Sequence, residues 1–363
     1  MRRKYFFVLF LLFGTLPFSA SASYHFADYR GRPPIHIYGS SSKIPKGLSP
    51  VVIKAVYNLP ASGGRGIIAI VGAYDDASIE NDLAAFDKQF NLTPCTSANG
   101  CFQKHPMSNK ISSDSSWAME TTLDVEWAHA IAPNAKIVLV EATTPSGANL
   151  LKAVDYAASV KDAVAISMSW GGAEFLEETT LDSHFVSKSG AVFFASSGDG
   201  GAGTSWPASS PNVIGVGGTS LTFTSTGSFS KETAWSGSGG GVSVYEKEPN
   251  FQADYSIPKA GDMRAIPDVS YDADPASGFS IYRLGKWYTV GGTSAGAPQW
   301  AAIAALGSGI TGAQLYADKA SANSSHYFRD ITSGTNGSCG YFCTARTHWD
   351  YVTGLGSPLT NGF

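Results

Sequence analysis

Charge is scarce in this 363-residue chain: Asp, Glu, Lys and Arg together make up 15%. That excludes a disordered charged tail, a coiled coil and a long charged helix. Cations are not in excess, with 25 Lys and Arg against 29 Asp and Glu, so neither a phosphate-binding surface nor a nucleic-acid partner is expected. Past the first two dozen residues no apolar run is long enough to span a bilayer, and no membrane partner is expected. The 40 glycines show no G-X-Y period, which excludes collagen. They point instead to tight turns around a packed core. No internal repeat and no long linker divides the chain.

What is present begins with an export signal. Met1-Arg2-Arg3-Lys4 is a basic start, residues 5–16 are apolar, and Ala20-Ser21-Ala22 fits a small-residue cleavage site. Residues 1–22 therefore read as a signal peptide, which places the mature protein outside the cell or in a periplasm. There the four cysteines, spaced as Cys95/Cys101 and Cys339/Cys343, are expected to close two local disulfides. Neither pair has the two-residue spacing of a zinc knuckle.

Residues 23–62 are polar and proline-marked, and read as an N-terminal arm or short leader to a domain over 63–363. From Gly66 continuous apolar runs alternate with helical spacing. Strands are expected near 66–71, 136–140, 164–168, 191–195 and 213–216, and helices over 76–90, 116–132, 150–159, 175–189 and 295–307. This alternation specifies an α/β fold with a mostly parallel central sheet flanked by helices. Residues 219–290 are Ser/Thr/Gly-rich and read as hairpins and long loops.

Three places could carry chemistry. Ser294 follows a glycine pair in Gly291-Gly292-Thr293-Ser294-Ala295-Gly296 and precedes a helix. It is either an N-cap or a nucleophile presented by a tight turn at a positive helix end. A nucleophilic serine needs a base, and none of the seven histidines lies in a setting that suggests one. In the 116–132 helix, Glu120 and Asp124 fall within about 40° of each other, with His129 on the opposite side. On a solvated face the two acids are an acidic stripe. Among Trp117, Met119, Leu123 and Trp127 they would share a proton. Asp199 ends an apolar strand in Ser196-Ser197-Gly198-Asp199-Gly200, where it is either a turn residue or a group at the strand ends where ligands gather. A further cluster, Asp268, Asp272 and Asp274, is read as an ordered surface loop and a competing metal candidate.

GGTSAGAP, ETTLD, SMSWGG and SSGD occur in an order that resembles the sedolisins, the serine-carboxyl peptidases related to subtilisin, from about Leu48 onward. The resemblance implies a subtilisin-like three-layer fold and a secreted serine endopeptidase active in acid on peptides or unfolded proteins, acting as a monomer. It implies that Ser294 is the nucleophile, Glu120 the general base, Asp124 its orienting acid and Asp199 an oxyanion-hole acid. Ser169, Trp170, Gly171 and Gly172 would line the substrate cleft. A calcium ion would be held by Asp330, Ile331, Arg346, His348 and Asp350, with Arg346 and His348 standing at two carbonyl-ligand positions where the family usually has glycine. Sedolisins carry a long prosegment, and the roughly forty residues of arm do not suggest a conventional one. Gly292-Thr293-Ser294-Ala295-Gly296 also fits the nucleophile elbow of an α/β-hydrolase esterase, with Asp330 and His348 in order behind it. A non-catalytic secreted protein retaining the fold is the other alternative.

Overall fold

The computed structural model describes residues 24–307 and 310–360; the signal peptide expected at 1–22 lies outside them. The apolar runs form parallel strands: β1 (Ile67–Ala73), β2 (Phe102–Pro106), β3 (Lys136–Ala142), β4 (Ala163–Met168), β5 (Val192–Ser196), β6 (Val213–Phe223) and β8 (Val269–Asp272). Their order across the sheet is β8-β6-β5-β4-β1-β3-β2, and β7 (Phe229–Ala234) adds an antiparallel partner to β6.

Because successive strand side chains point to opposite faces, the sheet divides the interior in two. Ile68, Ile70, Ile137, Leu139 and Phe194 pack on one face, while Ala69, Val71, Val138, Val140 and Phe193 pack on the other. The first face is covered by α1 (Pro50–Val56), α2 (Ile79–Phe90), α3 (Ser115–Ile131) and α5 (Gly296–Leu306); the second is covered by α4 (Gly147–Ser159). Ile53 of α1 and Tyr57 just after it are fully buried, so the domain packing begins before residue 63. Every α3 residue from Trp117 to Ile131 is buried, which makes α3 an interior helix rather than a surface one. Its start is capped by Asp114, whose carboxylate accepts from the Ser116 and Trp117 N–H groups. Both disulfides form, Cys95–Cys101 and Cys339–Cys343.

Two local expectations are corrected. The helix expected over 175–189 is a shorter 3-10 segment, Glu178–Phe185. Burial of Glu178 and Phe185 at its two ends fixes its path. The expected surface loop at 268–274 is instead largely internal: Asp268 and Asp272 are buried and Val269–Asp272 is strand β8. Arg264 is fully buried and clamps Asp268 with both terminal nitrogens, while Tyr316 and Gln252 also bond to that carboxylate. Fully paired charge of this kind is structural. It withdraws Asp268 from any metal.

Candidate active site

The carboxyl ends of β4 and β5, the middle of α3 and the start of α5 meet at one place. Ligands gather at such strand ends in α/β sheets. Ser169 follows β4, and its hydroxyl donates to Asp124 Oδ1 at 2.6 Å, with the Ser294 carbonyl at 3.2 Å. This one serine ties α3 to the turn carrying the candidate nucleophile. Glu120 and Asp124 are both 2% exposed, so the expected i,i+4 pair is an internal pair and not a solvated stripe. Burial is the main force holding the Glu120 carboxyl well above its ordinary range, followed by the charge of Asp124; the nearby Ser294 hydroxyl opposes this, and the Asp199 charge adds to it. Burial pushes Asp124 up to about 8 against the bonds from Ser169 and Glu120. Two carboxyls this close and this dry cannot both be ionised at modest cost.

Ser294 is fully buried in the 3-10 turn Thr293–Ala295. Gly292, just before it, has φ +129°, and a side chain there would strike both the Pro34 carbonyl oxygen and Asp199 Oδ2. Only glycine allows that convergence. Asp199 Oδ1 accepts from the backbone N–H and the hydroxyl of Thr293, each at 2.8 Å. Burial raises the Asp199 carboxyl, while His36 and Thr293 hold it down. His129 has no part in this: its Nε2 lies 2.8 Å from the Thr93 carbonyl, beside the Cys95–Cys101 loop.

The arm is what sequence reasoning missed. It threads through the cleft as an extended segment. Arg32 exchanges both backbone hydrogen bonds with Gly171, at 3.0 and 3.1 Å, while on its other side Gly31 N–H donates to Pro145 O and Gly147 N–H to Tyr29 O. His36 and Ile37 then pair antiparallel with Gly291 and Val290. Between these, the Ser294 hydroxyl donates to the Pro34 carbonyl oxygen at 2.8 Å. That oxygen, and not Glu120, receives its proton. His36 Nε2 lies 3.0 Å from Asp199 Oδ2, and this contact raises the imidazole. Upstream, Tyr29 is fully buried against Phe175 and Trp206, and its hydroxyl donates to Trp206 O at 2.7 Å. Of the expected cleft residues, Gly171 and Gly172 form the pairing edge, Gly172 exchanging bonds with Trp206. The Trp170 indole instead points inward and donates to Val71 O.

Behind that edge lies a set of acids the sequence did not single out. Glu174 accepts from Thr204 and Ser243 hydroxyls, and Glu178 accepts from the Phe175 N–H at 2.8 Å and from Ser209. Burial, then the Glu174 charge, pushes Glu178 up to about 9; burial, then the Asp182 charge, pushes Glu246 up to about 8. Carboxyls raised on folding stabilise the fold fully only below their unfolded values near 4, and that stability is lost as pH rises through 8–9. Thermal unfolding should therefore occur at progressively lower temperature as pH is raised from 5 to about 9. A midpoint that is flat or rising over that interval would contradict it.

Asp330, Ile331, Arg346, His348 and Asp350 gather elsewhere, near the carboxy terminus. His348 N–H donates to Asp330 and Arg346 N–H to Asp350. Both partners that an esterase triad would need, Asp330 and His348, are thus engaged with each other's segment and not with Ser294.

The sequence pattern of the Subtilase family matches residues 112–308, more than half of the chain. Among curated proteins, sedolisin of Pseudomonas sp. (strain 101) is 30% identical over 86% of this chain and 60% of its own length. Kumamolisin of Bacillus sp. (strain MN-32) is 31% identical over 88% and 63% respectively. The chain thus spans somewhat over half the length of these relatives. Among solved structures, Pseudomonas sedolisin complexed with two molecules of pseudo-iodotyrostatin superposes with a TM-score of 0.74 at 30% identity, covering 87% of this chain and 96% of that one. With a parallel sheet of this order, motifs at the sheet ends and these matches together, the chain belongs to the subtilase family and, within it, to the sedolisins.

Proposed function

We propose that this protein is a secreted serine-carboxyl endopeptidase that cleaves peptides or unfolded proteins in acid. Ser294 Oγ attacks the scissile carbonyl carbon and its proton passes to Glu120, held by Asp124. The oxygen gains negative charge and is steadied by a protonated Asp199. The leaving amine takes the proton back from Glu120, which leaves an acyl ester on Ser294. Water then attacks the ester, giving a proton to Glu120, and collapse of the adduct releases the acid as Glu120 returns that proton to Ser294 Oγ. A carboxylate base of ordinary basicity remains competent where histidine would be protonated. Departure of the arm from Ser294 admits water to the cleft, and hydration lowers a carboxyl raised by burial.

The observation that carries the reading is the extended segment bearing a carbonyl 2.8 Å from Ser294 Oγ, flanked by the Gly171 edge and Asp199. A cleft that accepts its own chain by main-chain bonds accepts other peptides the same way. An unfolded protein incubated with the enzyme from pH 3 to about 7 should give new peptides mainly at the acid end. Pseudo-iodotyrostatin, which Pseudomonas sedolisin binds, should suppress them. Absence of products at every acidity would favour a protein that keeps the fold without turnover; ester hydrolysis alone, with a neutral optimum, would favour the esterase.

A further inference from the structure

The family resemblance places calcium at Asp330, Ile331, Arg346, His348 and Asp350. Calcium takes six to eight oxygen ligands, so the two carboxylates have to face the ion. Here they face hydrogen-bond donors. Asp350 Oδ1 accepts the N–H groups of Val352 and Thr353 at 2.8 and 2.9 Å, and Oδ2 accepts the Arg346 N–H and the Thr353 hydroxyl, both at 3.0 Å. Four donors fill the roughly four lone-pair sites of a carboxylate. Asp330 Oδ2 accepts the His348 N–H at 2.8 Å, and its Oδ1 accepts the Lys319 ammonium at 2.8 Å. The same ammonium donates to the Leu355 carbonyl at 2.9 Å, and the Lys319 side chain is only 5% exposed. The two carboxylates as they stand do not fit the ion. A divalent cation on Asp330 would sit against a buried positive charge already bonded to that carboxylate.

We infer that the Lys319 ammonium takes the structural place of calcium in this chain. Lys319 lies in the last turn of α6 (Gly312–Ala320), and its two bonds reach Asp330 and Leu355. Asp330 follows the short strand Phe328–Arg329, whose partner strand is Ser357–Pro358, just past Leu355. One cation thus ties Asp330 to Leu355, five residues past Asp350, across the loop that the ion would hold. It can do so without six oxygens because an ammonium needs only two or three acceptors. The loop geometry agrees: His348 stands at φ +69°, a left-handed conformation that suits the glycine of the family loop, and it spends its N–H on Asp330.

The test is thermal unfolding of the full-length purified protein, after EDTA treatment and with calcium added at millimolar concentration, together with metal analysis of the untreated sample. The expected result is one midpoint under both conditions and no stoichiometric calcium. Ligand that binds only the folded state raises the midpoint in proportion to its occupancy. Lys319→Met, which keeps the stem and removes the charge, should lower the midpoint by several degrees, since Asp330 then lacks its cation. A saturable rise of the wild-type midpoint with calcium, or one calcium per chain, would overturn the inference. So would a Lys319→Met protein that melts at the wild-type temperature. If Lys319→Met does not fold, the wild-type calcium titration alone decides.

Discussion

Ser294→Ala and Glu120→Gln should each lower kcat on a peptide substrate by about a thousandfold or more, with KM little changed. In the proposed mechanism the first removes the attacking oxygen. The second keeps the size and hydrogen-bonding shape of Glu120 but cannot take a proton. Since both act in one step, the double variant should be no slower than the worse single one within about a factor of ten. Asp124→Asn should lose less: the amide still meets the Ser169 hydroxyl, which lies 2.6 Å from Asp124 Oδ1, and it abolishes only the charge that couples to Glu120. Rates taken across the acid range at saturating peptide decide the matter. A Glu120→Gln enzyme with wild-type kcat would remove the carboxyl base from the mechanism.

Because the arm has to leave the cleft before a substrate enters, His36→Ala should shorten the delay before full activity by about tenfold and move the alkaline limit of that release upward by about one unit. The sign follows from two carefully opposed titrations. Burial raises Asp199, and its bond to Asp199 raises His36. The ion pair exists only between the two titrations: above the His36 value the imidazole is neutral, and below the Asp199 value the carboxyl is. Acid therefore breaks it from the Asp199 side, and the proton that does so also turns Asp199 into a donor for an oxyanion. Loss of the imidazolium removes a charge that favours the Asp199 anion, so the carboxyl takes its proton at higher pH. Glu120 responds in the opposite direction, because the Asp199 charge raises it and a protonated Asp199 no longer carries that charge. Progress curves begun by dilution from neutral into acid buffer measure both quantities. Identical delays and limits for His36→Ala and wild type would show that this contact does not govern the arm.

The sequence exposed the parts of the fold whose signals are local. The apolar runs, the α3 spacing that puts Glu120 beside Asp124, and the Gly292-Thr293-Ser294 turn each depend on neighbours within a few residues. The arm does not. Arg32 finds Gly171 and Pro34 finds Ser294 across more than a hundred residues of chain, and nothing in the polar composition of 23–62 announces either pairing. Asp268 misled for the same reason. Three acids in seven residues read as solvated until Arg264, buried and four residues upstream, is seen to neutralise one of them. Lys319 looks like an ordinary helix-end cation in sequence, and its two acceptors come from segments 11 and 36 residues away.

Tyr29 would govern how a cut arm leaves the cleft. Its ring is enclosed by Phe175 and Trp206 five residues before Pro34, so cutting the chain beyond Pro34 leaves the upstream fragment seated by contacts the cut does not touch. Vacating the cleft then requires dissociation, and the fragment can rebind. Full activity should accordingly come sooner in dilute samples than in concentrated ones, and adding the isolated fragment back should slow a preparation already turning over.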